Sequence, residues 1–406
     1  MNYDQKRWYY LATCVVINIC IGFGYAWSVF QKPLMAAFGW DAVAVSLGFS
    51  IIMGVSALPQ SLAGKAMDYV APKTIILVGG VGLGTGIFIL GIVDSLTQLY
   101  LGGALIGIGM GTVYPATVAN MVKFFPERRG LVSGLLAAGL GSGAVFIAPL
   151  ASVLIELWGV LATLKAMGIT FSVVIVLLSQ IIHTAPHGYM PAGVVLPAAS
   201  KSGAGNDKDW QEMIKMPLFY VLVAIFILGG SAGIMVLGHA SPIAQRLLKV
   251  SPQEAAVLVG FIALANAAGR IFWGALSDKI GRFPAILGIF LGLGAFLLAL
   301  TQLTSYGPLV GSLLAIALCY GGLMGMMASV TADSFGARHL GVNFGIMFLS
   351  LALASFIGPR MAAVIAQNNN GDYTQAFVIA AVFSAVGAVL AGFRVVGKRF
   401  TTATGK

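Results

Sequence analysis

The sequence predicts an all-α membrane protein of about twelve transmembrane helices, arranged as two six-helix bundles related by a pseudo-two-fold axis. Three observations predict it. The 406-residue chain is 59% hydrophobic and only 9% charged, a composition foreign to soluble domains, where about a quarter of residues are charged. Apolar stretches of about 20 residues, enough to cross a ~30 Å hydrocarbon core, recur along its whole length between short polar breaks. Two groups of small and acidic residues in the first half also return in the second half at nearly constant spacing.

The first apolar stretch, 8–31, lacks a small-residue cleavage site and runs on into further stretches, so it reads as a retained helix and not a removed signal. Helices are expected next over 43–64, 74–93, 99–123, 130–154 and 161–183. From 184 to 217 the chain turns polar, with Pro, Gly, Ser and charges of both signs, which marks a linker between a bundle at 1–183 and a bundle at 218–406. The second set of helices is expected over 218–244, 254–277, 285–303, 309–332, 341–366 and 373–396. Cys14, Cys20 and Cys319 fall inside spans, where they read as small apolar residues and not as a disulfide or metal framework.

Charge placement orients the chain. With both termini cytoplasmic, the inner side collects Lys65, Lys123, Arg128, Arg129, Lys279, Arg282 and Arg338, while the outer side holds little beyond Lys32, Lys165, Arg246 and Lys249. The net charge of +10 is therefore a topology signal. The partner it implies is the lipid bilayer and not nucleic acid.

The repeat consists of Gly64 and Asp68 after the second span, which recur as Gly274 and Asp278 after the eighth, and Gly130 and Gly134, which recur as Gly341 and Gly345. Two bundles duplicated in parallel can rock around a midplane site. The stretch Gly274-Ala-Leu-Ser-Asp278-Lys279-Ile-Gly281-Arg282 resembles the loop signature G-x-L-S-D-[RK]-x-G-[RK] of the major facilitator superfamily; its first-half copy keeps Gly64 and Asp68 but carries Tyr69, Ala71 and Pro72. The stretch from Phe124 through Arg128, Arg129, Gly134 and Gly139 to Gly143 resembles the fifth-span motif of the monocarboxylate transporters, departing only at Val132. The resemblance covers nearly the whole chain and points to the bacterial branch that includes lactate transporters and the oxalate:formate antiporter. It implies a carrier of a small monocarboxylate anion such as L-lactate or pyruvate, coupled to a proton, working as a monomer in the bacterial inner (plasma) membrane; an oxalate:formate-type antiporter is the alternative. No nucleophile–base pair, metal-ligand cluster or phosphate loop stands out, so neither an enzyme nor a cofactor or metal site is expected.

Arg270 is the leading site residue, because it interrupts the apolar run 257–273. A charge at mid-span costs at least ~2.5–3.5 kcal/mol and marks a substrate or ion pathway, and the guanidinium fork matches a carboxylate bidentately. A buried ion pair is the competing reading, but no acidic residue falls in a span core. Spans four, eight and ten run in the same direction, which puts Tyr114, Arg270 and Tyr320 at similar depth, and Asn266 lies one turn before Arg270 on the same face. These four are expected to bind substrate, with Arg270 on the carboxylate. Tyr25, Trp27 and Gln31 of span one and Leu140 of span five are expected to line the rest of the cavity, facing Phe348 of span eleven.

Relative to the family pattern, Asn266 stands where animal monocarboxylate transporters carry an aspartate, and the stretch 344–358 lacks the second embedded cation, a lysine, of the oxalate antiporter. His239, in the outer part of span seven, is the only histidine within the core of an expected span. It reads either as the proton carrier and a substrate neighbour or as a satisfied structural histidine. Asp68 and Asp278 lie at inner span ends and are expected to gate, by capping a helix N-terminus or pairing with Arg128, Arg129 or Arg338. The glycines of spans four and five, Gly103, Gly107, Gly111, Gly139 and Gly143 among them, make smooth faces suited to close packing and to sliding.

Overall fold

The structure, a computed structural model, describes residues 3–186, 188–191 and 207–403; residues 187 and 192–206 of the expected linker lie outside the described residues. Among the described residues, eleven helices are long and apolar enough to cross a membrane. The first span is Tyr3–Phe38, the second is Ala42–Ala57 continued by Pro59–Ala66, the third Pro72–Gly91 and the fourth Leu96–Phe124. Arg129–Ser179 holds the fifth and sixth, and the later spans are Pro217–Gly238, Pro252–Ile280, Arg282–Ala299, Tyr306–Phe335, Leu340–Asn368 and Thr374–Ala403.

The helix count differs from the expected twelve for one local reason. Arg129–Ser179 is 51 residues, which as a straight helix would measure about 76 Å, more than twice a hydrocarbon core. It breaks at Gly159 (φ 78, ψ 164), a backbone conformation that favours glycine. The two halves then run antiparallel: Asn120, near the end of span four, donates to the His183 carbonyl at 2.9 Å, whereas Lys165, just past the break, packs against Gly91 at the other end of span three. Counted this way, the described residues hold twelve candidate spans.

Two other spans depart from the expected straight helix. Span one turns into a 3₁₀ segment over Gly22–Ala26, where a Cβ on Gly22 would sit 2.5 Å from the Leu140 carbonyl and 2.8 Å from Gly143 Cα. Span seven stops at Gly238, with His239 as the junction to a short helix, Ala240–Leu248. Inside the described part of the linker, Trp210–Lys215 forms a helix with an Asp209–Glu212 capping box.

Large apolar side chains such as Leu62, Val78, Leu177, Val257 and Phe393 are exposed on the outside. A soluble protein avoids so much contiguous apolar surface, and here it is the surface that hydrocarbon solvates. Inside, helices meet over glycine. Gly107 and Gly111 lie against the Ile52 and Ser56 carbonyls of span two, Gly139 lies against span one, and Gly79 and Gly109 close spans three and four together. Cys14, Cys20 and Cys319 are buried and free. One end of the molecule gathers Arg7, Lys123, Arg128, Arg129, Arg282 and Arg338 and is called the basic face below.

Candidate functional site

Span eight is built to hold Arg270 still. Its start is fixed by the Ser251–Glu254 capping box with Pro252 in the first turn, and its end by Gly281 at φ 94. Around Arg270 the backbone is clamped from two sides: a Cβ on Gly134 of span five would fall 2.1 Å from the Arg270 carbonyl oxygen, and one on Gly325 of span ten 2.9 Å from its Cα. The guanidinium reaches outward along span five, where Nη1 donates to the Ala137 carbonyl. It lies flat enough against Gly141 that a Cβ there would meet Nη1, Cζ and Nη2 at 3.0, 3.1 and 3.3 Å.

That leaves the charge incompletely answered. Guanidinium offers five N–H donors, and Nε is buried without a partner. Among the described residues no carboxylate forms an ion pair with Arg270. A backbone carbonyl supplies a dipole but no negative charge, so the site retains an unmatched cation at mid-span.

Tyr114, Tyr320 and Tyr25 belong to the same neighbourhood, since Arg270 and Tyr25 both act electrostatically on the hydroxyls of Tyr114 and Tyr320. Tyr114 is buried, with its ring 6.0 Å from that of Phe344 and 6.5 Å from that of Phe348, so spans four and eleven form one aromatic wall. Tyr320 stacks over Gly233 of span seven, where a Cβ would be 2.2 Å from the ring. Tyr25, in the 3₁₀ turn, is 43% exposed.

The remaining expected residues are placed differently. Asn266 is buried, and its amide donates to the Ala317 carbonyl at 3.4 Å instead of holding the guanidinium. Leu140 is buried with its carbonyl against Gly22, one residue from Gly141. Trp27 is buried, with its ring against Gly48 of span two. His239 caps its helix, with Nδ1 3.3 Å from the Met235 carbonyl and its ring 5.6 Å from that of Tyr373, the residue before span twelve. Six residues beyond Gly233, it lies about 9 Å farther toward the face opposite the basic one than the Tyr320 contact. The structure thus places it at the rim and not beside Arg270. Arg360 is exposed and stacks on Phe356 at 5.4 Å.

Further contacts between the two sets of six spans lie on the basic side of this site. Gly130 and Gly274 touch backbone to backbone, as do Gly64 and Gly341. Asp278 accepts from the backbone N–H groups of Gly130 (2.9 Å) and Leu131 (2.8 Å), capping span five, and pairs with Arg282 at 2.7 Å. Asp333 bridges Arg129 at 2.6 Å and Arg282 at 2.7 Å. Asp68 meets His339 at 3.4 Å, and Lys123 donates to the Arg338 carbonyl at 3.2 Å. Of the arginines expected to gate, Arg129 enters this network; Arg128 lies over Trp8 at 5.7 Å, and Arg338 takes part through its backbone. These contacts close the basic side of the site.

A family model described as the Major Facilitator Superfamily matches residues 12–359 and 228–404. The chain belongs to the major facilitator superfamily. It is a multi-pass membrane protein of that fold. Among its superfamily relatives, it is 31% identical over 394 residues to the oxalate:formate antiporter of Oxalobacter formigenes, covering 96% of this chain and 91% of that one. It is 24% identical to human monocarboxylate transporter 12, covering 97% and 81%. Of solved superfamily structures, the proton:xylose symporter XylE matches at a TM-score of 0.73 with 13% identity, covering 96% and 95%, and the human organic anion transporter MFSD10 at 0.69 with 14% identity, covering 96% and 99%. At these identities the structural likeness speaks to fold alone.

Sequence reasoning did not single out Asp333, Ala137 or Gly141. Asp333 had a signal, as a lone carboxylate at the end of an apolar helix entering a basic loop. Gly141 sits in the fifth-span motif between Gly139 and Gly143 but on a different face, and only the partner helix reveals which glycine meets a guanidinium. Ala137 acts through its backbone, which no residue type announces.

Proposed function

We propose that this chain is a secondary active transporter of small monocarboxylates such as L-lactate or pyruvate, coupled to protons in symport and working by alternating access. The observation that carries the reading is Arg270: a clamped mid-span guanidinium with one donor on a carbonyl, Nε unpartnered, and no carboxylate paired to it among the described residues. A substrate carboxylate supplies the missing charge, and Tyr114 and Tyr320 supply hydrogen bonds. The guanidinium now held by Ala137 of the other half is then drawn to the anion, which loosens a tie between the halves as substrate binds. Asp278 and Asp68 hold the basic side closed between turnovers. That side is cytoplasmic, with both termini, by the excess of Lys and Arg there, and the protein works as a monomer in the bacterial inner membrane.

The proton travels on His239, at the rim where it meets bulk water, or on the substrate itself. The test is uptake of labelled L-lactate into proteoliposomes under an imposed pH gradient alone. Accumulation above the outside concentration supports symport. Exchange without any such accumulation supports the second reading, a carboxylate antiporter, which the 31% identity to the oxalate:formate antiporter favours. Against a dianion stands the stretch 344–358, which brings no second cation to Arg270.

A further inference from the structure

The repeat that carries Gly64 to Gly274 and Asp68 to Asp278 also carries Gln60 to Arg270 and Ser56 to Asn266. The two pairs occupy equivalent surroundings. Arg270 lies one turn before Gly274, whose backbone abuts Gly130, and Gln60 lies one turn before Gly64, whose backbone abuts Gly341. Gly134 presses on the Arg270 carbonyl, and its repeat mate Gly345 presses on Ser61, the residue after Gln60. Gly111 rests on the Ser56 carbonyl and on Pro59, so Tyr114, one turn farther along span four, stands at the depth of Gln60. Gln60 is therefore the counterpart of Arg270 across the pseudo-two-fold axis, at matching depth.

Its chemistry is the complement of a cation. Gln60 is only 3% exposed, and its Nε2 donates to the Ser56 carbonyl at 3.3 Å. A carbonyl can only accept, so this bond fixes which end of the amide is which. Oε1 is the free end, and it is buried without a partner. Leaving such an acceptor unmet costs about 1–3 kcal/mol, so the place asks for a donor.

We infer that Gln60 Oε1 accepts a hydrogen bond from a hydroxyl of the substrate, which makes 2-hydroxy monocarboxylates the preferred class. The inference rests on the reading of Arg270 as the carboxylate site. The carboxylate lies on the Arg270 side, and the adjacent hydroxyl is met by Gln60 as the halves close on the substrate. A 2-oxo acid, acetate or the oxalate dianion carries acceptors only and leaves Oε1 unmet.

The experiment is equilibrium binding of L-lactate and of pyruvate to the purified full-length protein and to Gln60→Leu. Wild type should bind L-lactate about tenfold more tightly than pyruvate. Gln60→Leu should bring the ratio to about one by weakening lactate, with pyruvate unchanged within about twofold. Gln60→Met, which keeps the length of the side chain but replaces the amide oxygen with at most a weakly accepting thioether, stands in for the leucine variant if that one fails to insert. A ratio that either variant leaves at its wild-type value, or a wild type that prefers pyruvate, overturns the inference while Arg270 stands. A wild type that binds neither anion brings down the reading of Arg270 first, and this inference with it.

Discussion

Two latches hold the halves of this transporter together on the basic face, and they share a backbone design while differing in their side chains. In both, a glycine after one span meets a glycine at the start of another, Gly274 on Gly130 and Gly64 on Gly341. Over the first contact lies a closed ionic network, with the Asp278, Arg282, Asp333 and Arg129 side chains 9–13% exposed. Over the second, Asp68 and His339 are 31% and 28% exposed and 3.4 Å apart. The first-half motif has lost its basic residue to Pro72, where the second half keeps Arg282. Between the two repeats the close approach of the backbones, which geometry demands, is kept, while the electrostatics differ. Buried charges interact far more strongly than exposed ones, so the two latches release at different cost.

The largest effect should come from attacking what they share. Gly130→Ala would bring a Cβ to 2.2 Å from the Gly274 oxygen and Gly64→Ala to 2.1 Å from the Gly341 carbonyl carbon, distances backbone cannot absorb without moving. Each should separate the basic face and reduce transport to near background. Spin-label distances between Arg128 and Lys279, and between Lys65 and Arg338, read the two latches separately. A normal distance in either variant would show that its contact does not close the gate.

Next in size is Asp278→Asn, which removes the charge facing Arg282 and weakens the cap on Gly130 and Leu131. At about 1–3 kcal/mol for a buried charged hydrogen-bonding group, the open population on the basic side should rise about fivefold to 150-fold. Turnover should slow while substrate affinity stays within about a few fold. A large loss of affinity with normal turnover would move Asp278 from the gate to the site. Asp68→Asn should do the same on a smaller scale, by at most about fivefold, because a partly exposed pair contributes ~0–1 kcal/mol. If the two aspartates prove equal, the contrast between the latches is decorative.

What the sequence disclosed follows the same division. The twelve candidate spans, the repeat glycines and the isolation of Arg270 were legible, because hydrocarbon thickness and the cost of a buried charge leave few alternatives. The reversal at Gly159 and the 3₁₀ turn at Gly22–Ala26 bend what periodicity draws as straight. Depth along a helix brought Tyr114 and Tyr320 to the level of Arg270, but depth says nothing of facing. Asn266 shares the face of Arg270 in sequence and yet spends its amide on Ala317, and His239 reads as buried in a span until its helix ends one residue before it. Those outcomes depend on which neighbour arrives, and a single helix does not carry that information.

The most direct measurement is equilibrium binding of L-lactate to Arg270→Lys, in protein shown to be inserted and folded by wild-type spin-label distances at both latches. Lysine keeps the charge but offers a point ammonium in place of the planar fork that spans Ala137 and the anion. Binding should fall at least about a hundredfold, and uptake should be lost. Wild-type affinity in that variant would contradict the assignment of Arg270 as the carboxylate site, and with it the reading of this transporter as a monocarboxylate carrier.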